Sequence, residues 1–536
     1  MTGTQEVLGE VGLPVPVSEL AAQHWDVVVV GGGHNGLCAA AYVARAGRSV
    51  LLLERRPRLG GACTLETPFE DERWLVSPCA YLVGLLHPLV IDELGLRGRG
   101  YKVRRVDPHL WCPFEDGSSL ALWDDMGRSA ESIAQLSPGD VDGYISYCAL
   151  FARIRDALRH PRHDTWMGDA PDRAEIEQML GGDPEAVEVV FESSIAEVVE
   201  RHVRDERIRT ALHGQGIIGT YAGPRDSGTA AIHLLHSSGS LEGSPGAWGY
   251  VEGGMGRVSF AIADAACEAG ALVASGVEVA RILPGEGVVL EGGELVRARA
   301  VVSNADPKRT VSMIDSGVPD AFRRRVESWR SESPVLKINC ALSRLPRFSA
   351  SSHGVPGGPH RAMVTISRGT DATQGAYEAS RRGEPSPAWC ELYFQSPYDP
   401  SVAPPGRHLM SVFAQYVPYR LAEGDWAGRR SEIADAAVAE ISRFAPDVGD
   451  VILEREVLGP PDVEQRTGST GGHIFQGECL PGQMWSARFA PRTPIPGVYL
   501  CGACTHPGGS VIAVNGRNAA MAVLEDLARA DVGGGR

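Results

Sequence analysis

The chain is poor in positive charge and especially in lysine. Its 536 residues carry 51 Lys and Arg against 67 Asp and Glu, a formal net charge of −16, and the only lysines are Lys102, Lys308 and Lys337. Because nucleic acids are bound by basic surfaces, this balance argues against nucleic acid as a partner. The scarcity of lysine also leaves few candidates for a catalytic amine.

Long apolar runs and a disulfide pattern are missing as well. No uninterrupted apolar run approaches the roughly 18 residues that a membrane span needs, so we expect no transmembrane segment. The 11 cysteines are odd in number and irregularly spaced, which is typical of reduced thiols in a cytoplasmic protein. Residues 1–24 contain no basic stretch followed by an apolar core, so we predict an extension that precedes the fold and is no secretory signal.

A strand, a glycine turn, a helix and a second strand follow one another from Trp25. Asp26–Val30 is a β-branched run that stops at three glycines, Asn35–Ala46 consists mainly of small helix formers, and Ser49–Leu53 is again apolar. This order predicts a βαβ unit with buried parallel strands. At the other end of the chain, Val498–Cys501 predicts a strand, followed by a glycine-rich loop and a helix over Arg517–Ala528.

The middle of the chain predicts a mixture of strands and helices. Arg105–Asp124 alternates and turns at Asp116 and Gly117, which indicates a hairpin. After the N-cap Asp183, apolar residues recur at helical spacing from Ala186 to Val198, which predicts one structural helix. There is no internal repeat and no low-complexity linker.

Residues 31–36, Gly-Gly-Gly-His-Asn-Gly, match the GxGxxG pattern in its full context of strand, turn and helix. Gly31 permits the tight turn, Gly33 lets a diphosphate approach the main chain, and Gly36 allows close packing of helix on strand. Glu54 ends the second strand and can accept hydrogen bonds from the ribose hydroxyls of an adenosine half. A carboxylate there would repel a 2′-phosphate, so FAD or NAD is favoured over NADP.

The residues after Glu54 favour FAD. Residues 54–61, Glu-Arg-Arg-Pro-Arg-Leu-Gly-Gly, resemble a signature of flavoproteins of the glutathione reductase and amine oxidase superfamily. In that superfamily the second glycine pair passes near the diphosphate, and an arginine between often contacts it. The resemblance implies this role for Arg56, with Arg55 and Arg58 as alternatives.

Later motifs narrow the resemblance further. Residues 246–256, residues 302–307 and the C-terminal stretch from Pro496 to Ala520 resemble phytoene desaturase-type FAD-dependent oxidoreductases. The branch they resemble most contains bacterial relatives of pyridine nucleotide-disulfide oxidoreductase domain-containing protein 2. The resemblance extends over nearly the whole chain, from residue 26 to about residue 525.

The resemblance implies an α/β fold in which a Rossmann-like FAD-binding domain of the glutathione reductase and amine oxidase type carries an inserted α+β substrate domain. The FAD-binding domain would comprise residues 25–100, 245–310 and 465–530, and the substrate domain residues 101–244 and 311–464. It implies that Val279 lies at the adenine, Gly502 at the diphosphate or ribityl chain, and residues 508–512 at the pyrimidine edge of the flavin. The motif and the resemblance together give these expected FAD-binding residues: Gly31, Gly33, His34, Asn35, Gly36, Glu54, Arg55, Arg56, Gly60, Gly61, Ala62, Val279, Asn304, Gly502, Gly508, Gly509, Val511 and Ile512.

The catalytic residues are not determined by the sequence. Four side chains are candidates, each of which could instead fill a structural role: His236, His473, His506 and Tyr81. Residues 472–477, Gly-His-Ile-Phe-Gln-Gly, depart from the Gly-Asn-Ile-Phe-His-Gly of relatives, which indicates a changed substrate if this segment lines the pocket. Cys501 and Cys504 form a CxxC pair inside a flavin motif, so structural thiols are favoured over a redox or metal site.

We therefore expect a cytoplasmic FAD-dependent dehydrogenase or desaturase that acts on a small organic molecule. It would transfer a hydride from a C–H bond to flavin N5, forming C=C or C=N, and dioxygen or another acceptor would reoxidise the flavin. A soluble secondary metabolite is the favoured substrate, no metal is expected, and self-association into a homo-oligomer stays open. The alternatives are a flavin-dependent isomerase or saturase without net oxidation, and a non-catalytic flavoprotein that serves as an interaction partner.

Overall fold

The computed structural model describes residues 3–350 and 355–533. Two seven-stranded sheets form its framework, and helices pack on both. The α-helices of the described residues are Val17–Ala22, His34–Arg45, Pro88–Glu93, Met126–Leu136, Val141–Leu158, Arg173–Met179, Pro184–Phe191, Ile195–His202, Glu206–His213, Ala230–Ser237, Gly256–Glu268, Pro307–Ser312, Asp320–Glu327, Thr370–Arg381, Trp426–Ser442, Val448–Val451, Pro460–Thr467 and Val514–Gly533.

The first sheet, the nucleotide sheet, joins the two ends of the chain. Its strands lie in the order Leu272–Ser275, Val50–Glu54, His24–Val30, Leu295–Ser303, Gly287–Leu290 and Val279–Leu283, with Val498–Leu500 also paired to Leu295–Ser303. The strand His24–Val30 runs parallel to both of its neighbours, and the C-terminal strand Val498–Leu500 is parallel as well. The predicted βαβ unit and the α/β fold class are thereby confirmed.

Small residues let helices approach this sheet closely. The helix His34–Arg45 is buried along most of its length and packs against Gly256–Glu268 and Val514–Gly533. A Cβ at Gly516 would lie 2.1 Å from the carbonyl oxygen of Asn35, so only glycine fits at this helix contact. The C-terminal helix begins at Val514 rather than at the predicted Arg517.

The second sheet, the cavity sheet, is built from the middle of the chain. Its strands lie in the order Ile452–Leu458, Val335–Leu342, His408–Gln415, Trp389–Phe394, Val364–Ser367, Leu110–Pro113 and Ser119–Leu122. The predicted hairpin at Asp116 and Gly117 is confirmed, since Leu110–Pro113 pairs antiparallel with Ser119–Leu122. One face of the sheet packs on the helix Trp426–Ser442 through a purely apolar core, and the opposite face carries polar side chains.

The predicted single helix over residues 186–198 is wrong, because two helices occupy this segment. Pro184–Phe191 ends and Ile195–His202 begins at a new N-cap, Ser194. The Ser194 hydroxyl accepts from the Glu197 N–H at 3.1 Å, and the Glu197 carboxylate accepts from the Ser194 N–H at 2.8 Å. This capping box starts a fresh helix and is visible in the sequence as Ser-x-x-Glu.

The prediction that order begins only at Trp25 is also wrong. Val17–Ala22 is helical, Leu20 is fully buried, and the Trp25 indole donates to the Leu20 carbonyl at 3.0 Å. The Ser275 N–H donates to the carbonyl of Gly12 at 3.0 Å. Because Leu272–Ser275 is an edge strand with free main-chain groups, the N-terminal segment is held there by a contact that no local pattern reveals.

The predicted domain boundaries stay a prediction, although the nucleotide sheet draws its strands from three separated stretches of chain. Among the described helices, none is both long enough and apolar enough to cross a membrane. The remaining strand pairs are Val103–Arg105 with Gly249–Val251, Arg159–His160 with His163–Asp164, and Ser240–Leu241 with Ser244–Pro245.

Candidate FAD and substrate site

The first glycine motif forms a tight turn against which the side chain of Asn304 packs. Gly31 has a φ of +100°, a conformation that residues with a Cβ rarely adopt. A Cβ at Gly33 would lie 2.6 Å from Nδ2 of Asn304, and one at Gly36 would lie 2.2 Å from the Gly31 carbonyl oxygen. Each glycine of the motif is therefore required by the local packing, and the helix start at His34 stays open because no described side chain caps it.

The second glycine pair lies directly beside the first motif. The Gly60 N–H donates to the Gly32 carbonyl at 2.8 Å, and a Cβ at Gly61 would lie 3.4 Å from the Cα of Gly33. Two motifs separated by more than twenty residues thus form one surface of main-chain groups. Such a surface has the shape and the donors that a diphosphate requires.

Glu54 is held at the end of its strand by main-chain donors. Its carboxylate oxygens accept from the N–H groups of Gly32 at 2.7 Å and Arg56 at 2.8 Å, and burial raises its pKa. The Glu54 carbonyl also accepts from the Val277 N–H at 2.9 Å, which brings the strand that begins at Val279 next to it. The predicted ribose and adenine residues therefore lie together, at the carboxyl end of Val50–Glu54.

The three candidate arginines differ in their partners. Arg55 and Arg58 donate to main-chain carbonyl groups, at 2.8 and 2.5 Å. Arg56 donates from Nη2 to Glu66 at 2.6 Å, and its buried Nη1 has no hydrogen-bond partner among the described residues. Oδ1 of Asn35 is buried without a partner in the same part of the chain. An unpaired guanidinium nitrogen beside two glycine turns fits an anionic ligand and favours Arg56 over its neighbours.

The C-terminal loop before the last helix is strained. Ser510, Val511 and Ala513 all have positive φ values, of 78°, 57° and 65°. For a β-branched valine this is a costly conformation that persists only where surrounding contacts enforce it. Asn515 supplies such contacts, since its side-chain amide donates to the carbonyls of Thr505 at 2.9 Å and Gly508 at 3.0 Å. The loop predicted to meet the flavin is thus held rigidly.

A cavity of about 610 Å³ lies between the nucleotide sheet and the cavity sheet. Its wall includes these predicted FAD-binding residues and catalytic candidates: His34, Ala62, Tyr81, His236, His473 and Val511. Most of the rest of the wall is aromatic or aliphatic. The sequence motifs and the second sheet therefore meet at one enclosed space.

The four catalytic candidates are distributed unevenly around this cavity. Burial lowers the pKa of His236 to about 4, and its Nε2 lies 3.5 Å from the Ser510 hydroxyl. Nδ1 of His473 accepts from a main-chain N–H at 3.2 Å, so in the neutral ring Nε2 carries the proton. His506 points away, with Nε2 at 2.5 Å from the Thr165 carbonyl, and does not contribute to the described wall of the cavity.

The sequence analysis missed a row of polar side chains on the cavity sheet. Lys337 is opposite Phe413, which in turn is opposite Glu391 on the next strand, so these three residues share one face of the sheet. The Lys337 amine donates to Oδ1 of Asn339 at 2.9 Å and to the Ser411 hydroxyl, and burial lowers its pKa to about 7. Its amine also lies 4.3 Å from the ring centre of Tyr81.

Glu391 is the acidic counterpart in this row. It accepts hydrogen bonds from the Tyr393 hydroxyl and from the Gln215 amide at 3.3 Å. Burial raises its pKa to about 7. A signal for both residues exists in the sequence, because Lys337 and Asn339, and likewise Glu391 and Tyr393, are polar residues spaced by two within apolar strands.

The segment that departs from the expected pattern does line the cavity, through His473, Ile474 and Phe475. Its neighbour Arg488 is 2% exposed, and its guanidinium donates to five carbonyl groups, those of Phe475, Glu478, Gln483, Ala503 and Thr505. These bonds fasten the divergent segment to the loop that follows Gly502. Cys501 and Cys504 are free, buried thiols, and burial raises the pKa of both, which agrees with a structural role.

Comparison with known proteins agrees with this site. The family model described as "FAD dependent oxidoreductase" matches residues 26–132, and "Flavin containing amine oxidoreductase" matches residues 183–524. The chain belongs to the flavin-containing amine oxidoreductase family. It is an FAD-dependent oxidoreductase with FAD as its cofactor, and the glycine turns, Glu54 and the unpaired Arg56 nitrogen fit that group.

Individual relatives confirm the resemblance that the motifs indicated. The chain is 34% identical to mouse pyridine nucleotide-disulfide oxidoreductase domain-containing protein 2, covering 94% of each protein. It is 27% identical to a limonene dehydrogenase of Castellaniella defragrans, covering 94% of this chain and 95% of that protein. Among solved structures, cyclohexylamine oxidase of Brevibacterium oxydans has the same fold, with 18% identity, a TM-score of 0.59 and coverage of 94% and 100%.

Proposed function

We propose that the protein is an FAD-dependent dehydrogenase that oxidises a C–H bond of a small, largely apolar organic molecule. The observation that carries this proposal is the single cavity that the predicted flavin-contact residues border on one side and the Lys337 face of the cavity sheet on the other. Such a cavity, mostly apolar with a few convergent polar groups, is typical of small-molecule sites.

The main-chain donors of the two glycine turns and Nη1 of Arg56 would hold the diphosphate of FAD, and Glu54 would hold its ribose. The strained loop at Val511 would lie against the flavin ring. When bound, FAD supplies a hydride acceptor, its N5 atom, so that loss of a hydride and a proton from the substrate leaves C=C or C=N. Dioxygen or another acceptor would then reoxidise the reduced enzyme.

Lys337 is the group best suited to accept the proton. Because burial lowers the pKa of Lys337 to about 7, a large share of the amine is neutral at physiological pH. Its bonds to Asn339 and Ser411 fix the nitrogen in place, and the face of the Tyr81 ring stabilises the protonated form. His236 is less suited, because burial lowers its pKa to about 4 and the ring would hold a proton only weakly at neutral pH.

The wall of the cavity supports a substrate with an apolar body and one polar group. Aromatic rings from both the helical layer and the cavity sheet surround the space, including Tyr147, Trp248 and Phe413. Glu391 has no cationic partner among the described residues, so it offers a hydrogen-bonding position for a hydroxyl or amino group. The limonene dehydrogenase relative, by its name, acts on a hydrocarbon, which supports the apolar part of this assignment.

Anaerobic mixing tests the proposal. The oxidised holoprotein is mixed with a panel of terpenoids, cyclic amines and alcohols, and the flavin absorption band is followed. We expect one class to bleach the band and admission of air to restore it. Turnover that begins only after the flavin is reduced beforehand would instead establish an isomerase or saturase. A panel that leaves the flavin oxidised, with no ligand binding at the cavity, would support the non-catalytic alternative.

A further inference from the structure

A partly buried chain of alternating charges begins at the arginine of the FAD site. Nη2 of Arg56 lies 2.6 Å from Oε1 of Glu66, and Oε2 of Glu66 lies 3.1 Å from Nη1 of Arg466. Nη2 of Arg466 lies 2.5 Å from Oε1 of Glu456. The side chains of these four residues are only 13–22% exposed, so solvent screens their interactions weakly.

The chain continues into the cavity sheet and ends at Lys337. Oε2 of Glu456 accepts from Nδ2 of Asn339 at 2.9 Å, and Oδ1 of Asn339 accepts from the Lys337 amine at 2.9 Å. Every link between Arg56 and Lys337 is thus a direct contact, and the two ends belong to different parts of the site.

The orientation of the Asn339 amide is determined by its partners. Nδ2 donates to the carboxylate of Glu456 and also to the carbonyl of Pro78 at 3.2 Å, and both of these groups can only accept. The oxygen must therefore face Lys337. An acceptor in that position binds an N–H of the amine and leaves its remaining positions directed elsewhere.

We propose that Glu456 is a positioning residue for Lys337 and that the chain Arg56–Glu66–Arg466–Glu456–Asn339 couples the diphosphate end of the FAD site to the proton on that amine. The coupling rests on the proposed role of Lys337 as proton acceptor, but it can be measured without a substrate. It assigns a purpose to four charged side chains that neither the glycine motifs nor the cavity wall explains.

The sign of the coupling follows from the charges. The groups that face Lys337 are Cys79 and Tyr81 from the loop before the first helix of the cavity wall, Cys340 on its own strand, Glu456 on the next strand, and Glu391 beyond Phe413. Burial lowers the pKa of Lys337, and the negative charge of Glu456 opposes that effect. Arg466 partly neutralises Glu456, and Glu66 competes for Arg466. Negative charge at Glu66 therefore raises the pKa of Lys337, and positive charge at Arg56 lowers it.

The scarcity of lysine makes this measurable by nuclear magnetic resonance. Holoprotein labelled at lysine Cε gives signals from Lys102, Lys308 and Lys337 only, and the Lys337→Met variant assigns the third. The pKa of Lys337 is read from the pH dependence of its signal, with the other two lysines as internal references.

We expect Glu456→Gln to lower the pKa of Lys337 by about one pH unit. The matched control is Glu454→Gln, because Glu454 lies on the same strand and opposite Ala341 instead of Asn339. Glu456→Asp keeps the charge and should stay closer to wild type. A Lys337 pKa that is the same in Glu456→Gln and Glu454→Gln would overturn the positioning role. Should Glu456→Gln not fold, Asn339→Ala cuts the chain at the next link and should lower the pKa in the same direction.

A double-mutant cycle tests the coupling, at saturating FAD. Glu66→Gln should lower the Lys337 pKa by a few tenths of a pH unit, and Arg56→Met should raise it by a similar amount. In the Glu66→Gln background, Arg56→Met should have little further effect, because the link between the two residues is gone. Strictly additive shifts would show that Arg56 acts only through space and would overturn the chain. Since the readout needs no turnover, failure of the proposed oxidation would leave this result unaffected.

Discussion

The FAD-binding loops and the cavity sheet use polar groups in opposite ways. At the glycine turns the polar groups are main-chain N–H groups, and the side chains are absent because a Cβ would collide with Asn304 or with the turn itself. On the cavity sheet the main chain is fully used in the ladder, and the polar groups are side chains that project from apolar strands, as Lys337 and Glu391 do. The first arrangement binds an invariant cofactor, and the second can be changed residue by residue to suit a substrate.

The largest expected effect concerns the glycine turns. In Gly36→Ala the new Cβ would lie 2.2 Å from the Gly31 carbonyl oxygen, and because both are main-chain positions the turn must distort. We expect FAD content after purification to fall to about a tenth or less, with a lower Tm. Flavin absorbance per chain and thermal unfolding measure this. Gly375→Ala is the control, since no heavy atom lies within 4 Å of that Cβ and the site is helical. Full FAD content in Gly36→Ala would show that the turn is not a rigid cradle.

The second prediction tests whether the cavity sheet acts on turnover alone. Lys337→Met removes the amine but keeps much of its volume. We expect the rate of flavin reduction by an oxidisable substrate to fall roughly 10²- to 10³-fold, with FAD content unchanged. Stopped-flow absorbance measures the rate. Lys102→Met, at an exposed position, is the matched control. An unaltered rate would remove Lys337 from the proton transfer.

The third prediction separates two adjacent arginines. Arg56 has an unpaired buried nitrogen, whereas Arg55 is exposed and donates to carbonyl groups. Loss of a charge-assisted contact to the diphosphate should raise the Kd for FAD about 10- to 100-fold in Arg56→Met. Arg55→Met should change it by less than about threefold. Quenching of flavin fluorescence on binding measures both, and equal effects would contradict the assignment of Arg56.

The smallest expected effect is a pH dependence of stability. Burial raises the pKa of Glu391 from 4.5 to about 7, so the folded protein holds a proton that the unfolded chain releases at lower pH. This group therefore costs stability increasingly as pH rises from about 4.5 to 7, by on the order of 2 kcal/mol. We expect Glu391→Gln to remove that loss, while Glu423→Gln, at an exposed site, should not. Urea unfolding at pH 5 and pH 8 measures the difference; parallel curves for wild type and Glu391→Gln would refute it.

The sequence predicted the nucleotide side of the molecule well, since its signals are local. The GxGxxG turn, the strand that ends at Glu54 and the second glycine pair each depend on neighbouring residues, and their juxtaposition follows from the known geometry of a βαβ unit. Where local patterns failed, a local signal was overlooked at Ser194, but at the N-terminus none existed. The contact of Gly12 with Ser275 joins residues more than 260 positions apart.

What the amino-acid sequence determined by itself was the cofactor and the fold class, because both rest on main-chain conformations that particular residues impose within a few positions. What only the tertiary structure decided was the chemistry of the cavity. Lys337 and Glu391 lie on separate strands, and their row, their altered pKa values and the link from Arg56 arise from burial and cross-strand register. Burial and register are properties of the assembled sheets, so no short stretch of sequence can encode them.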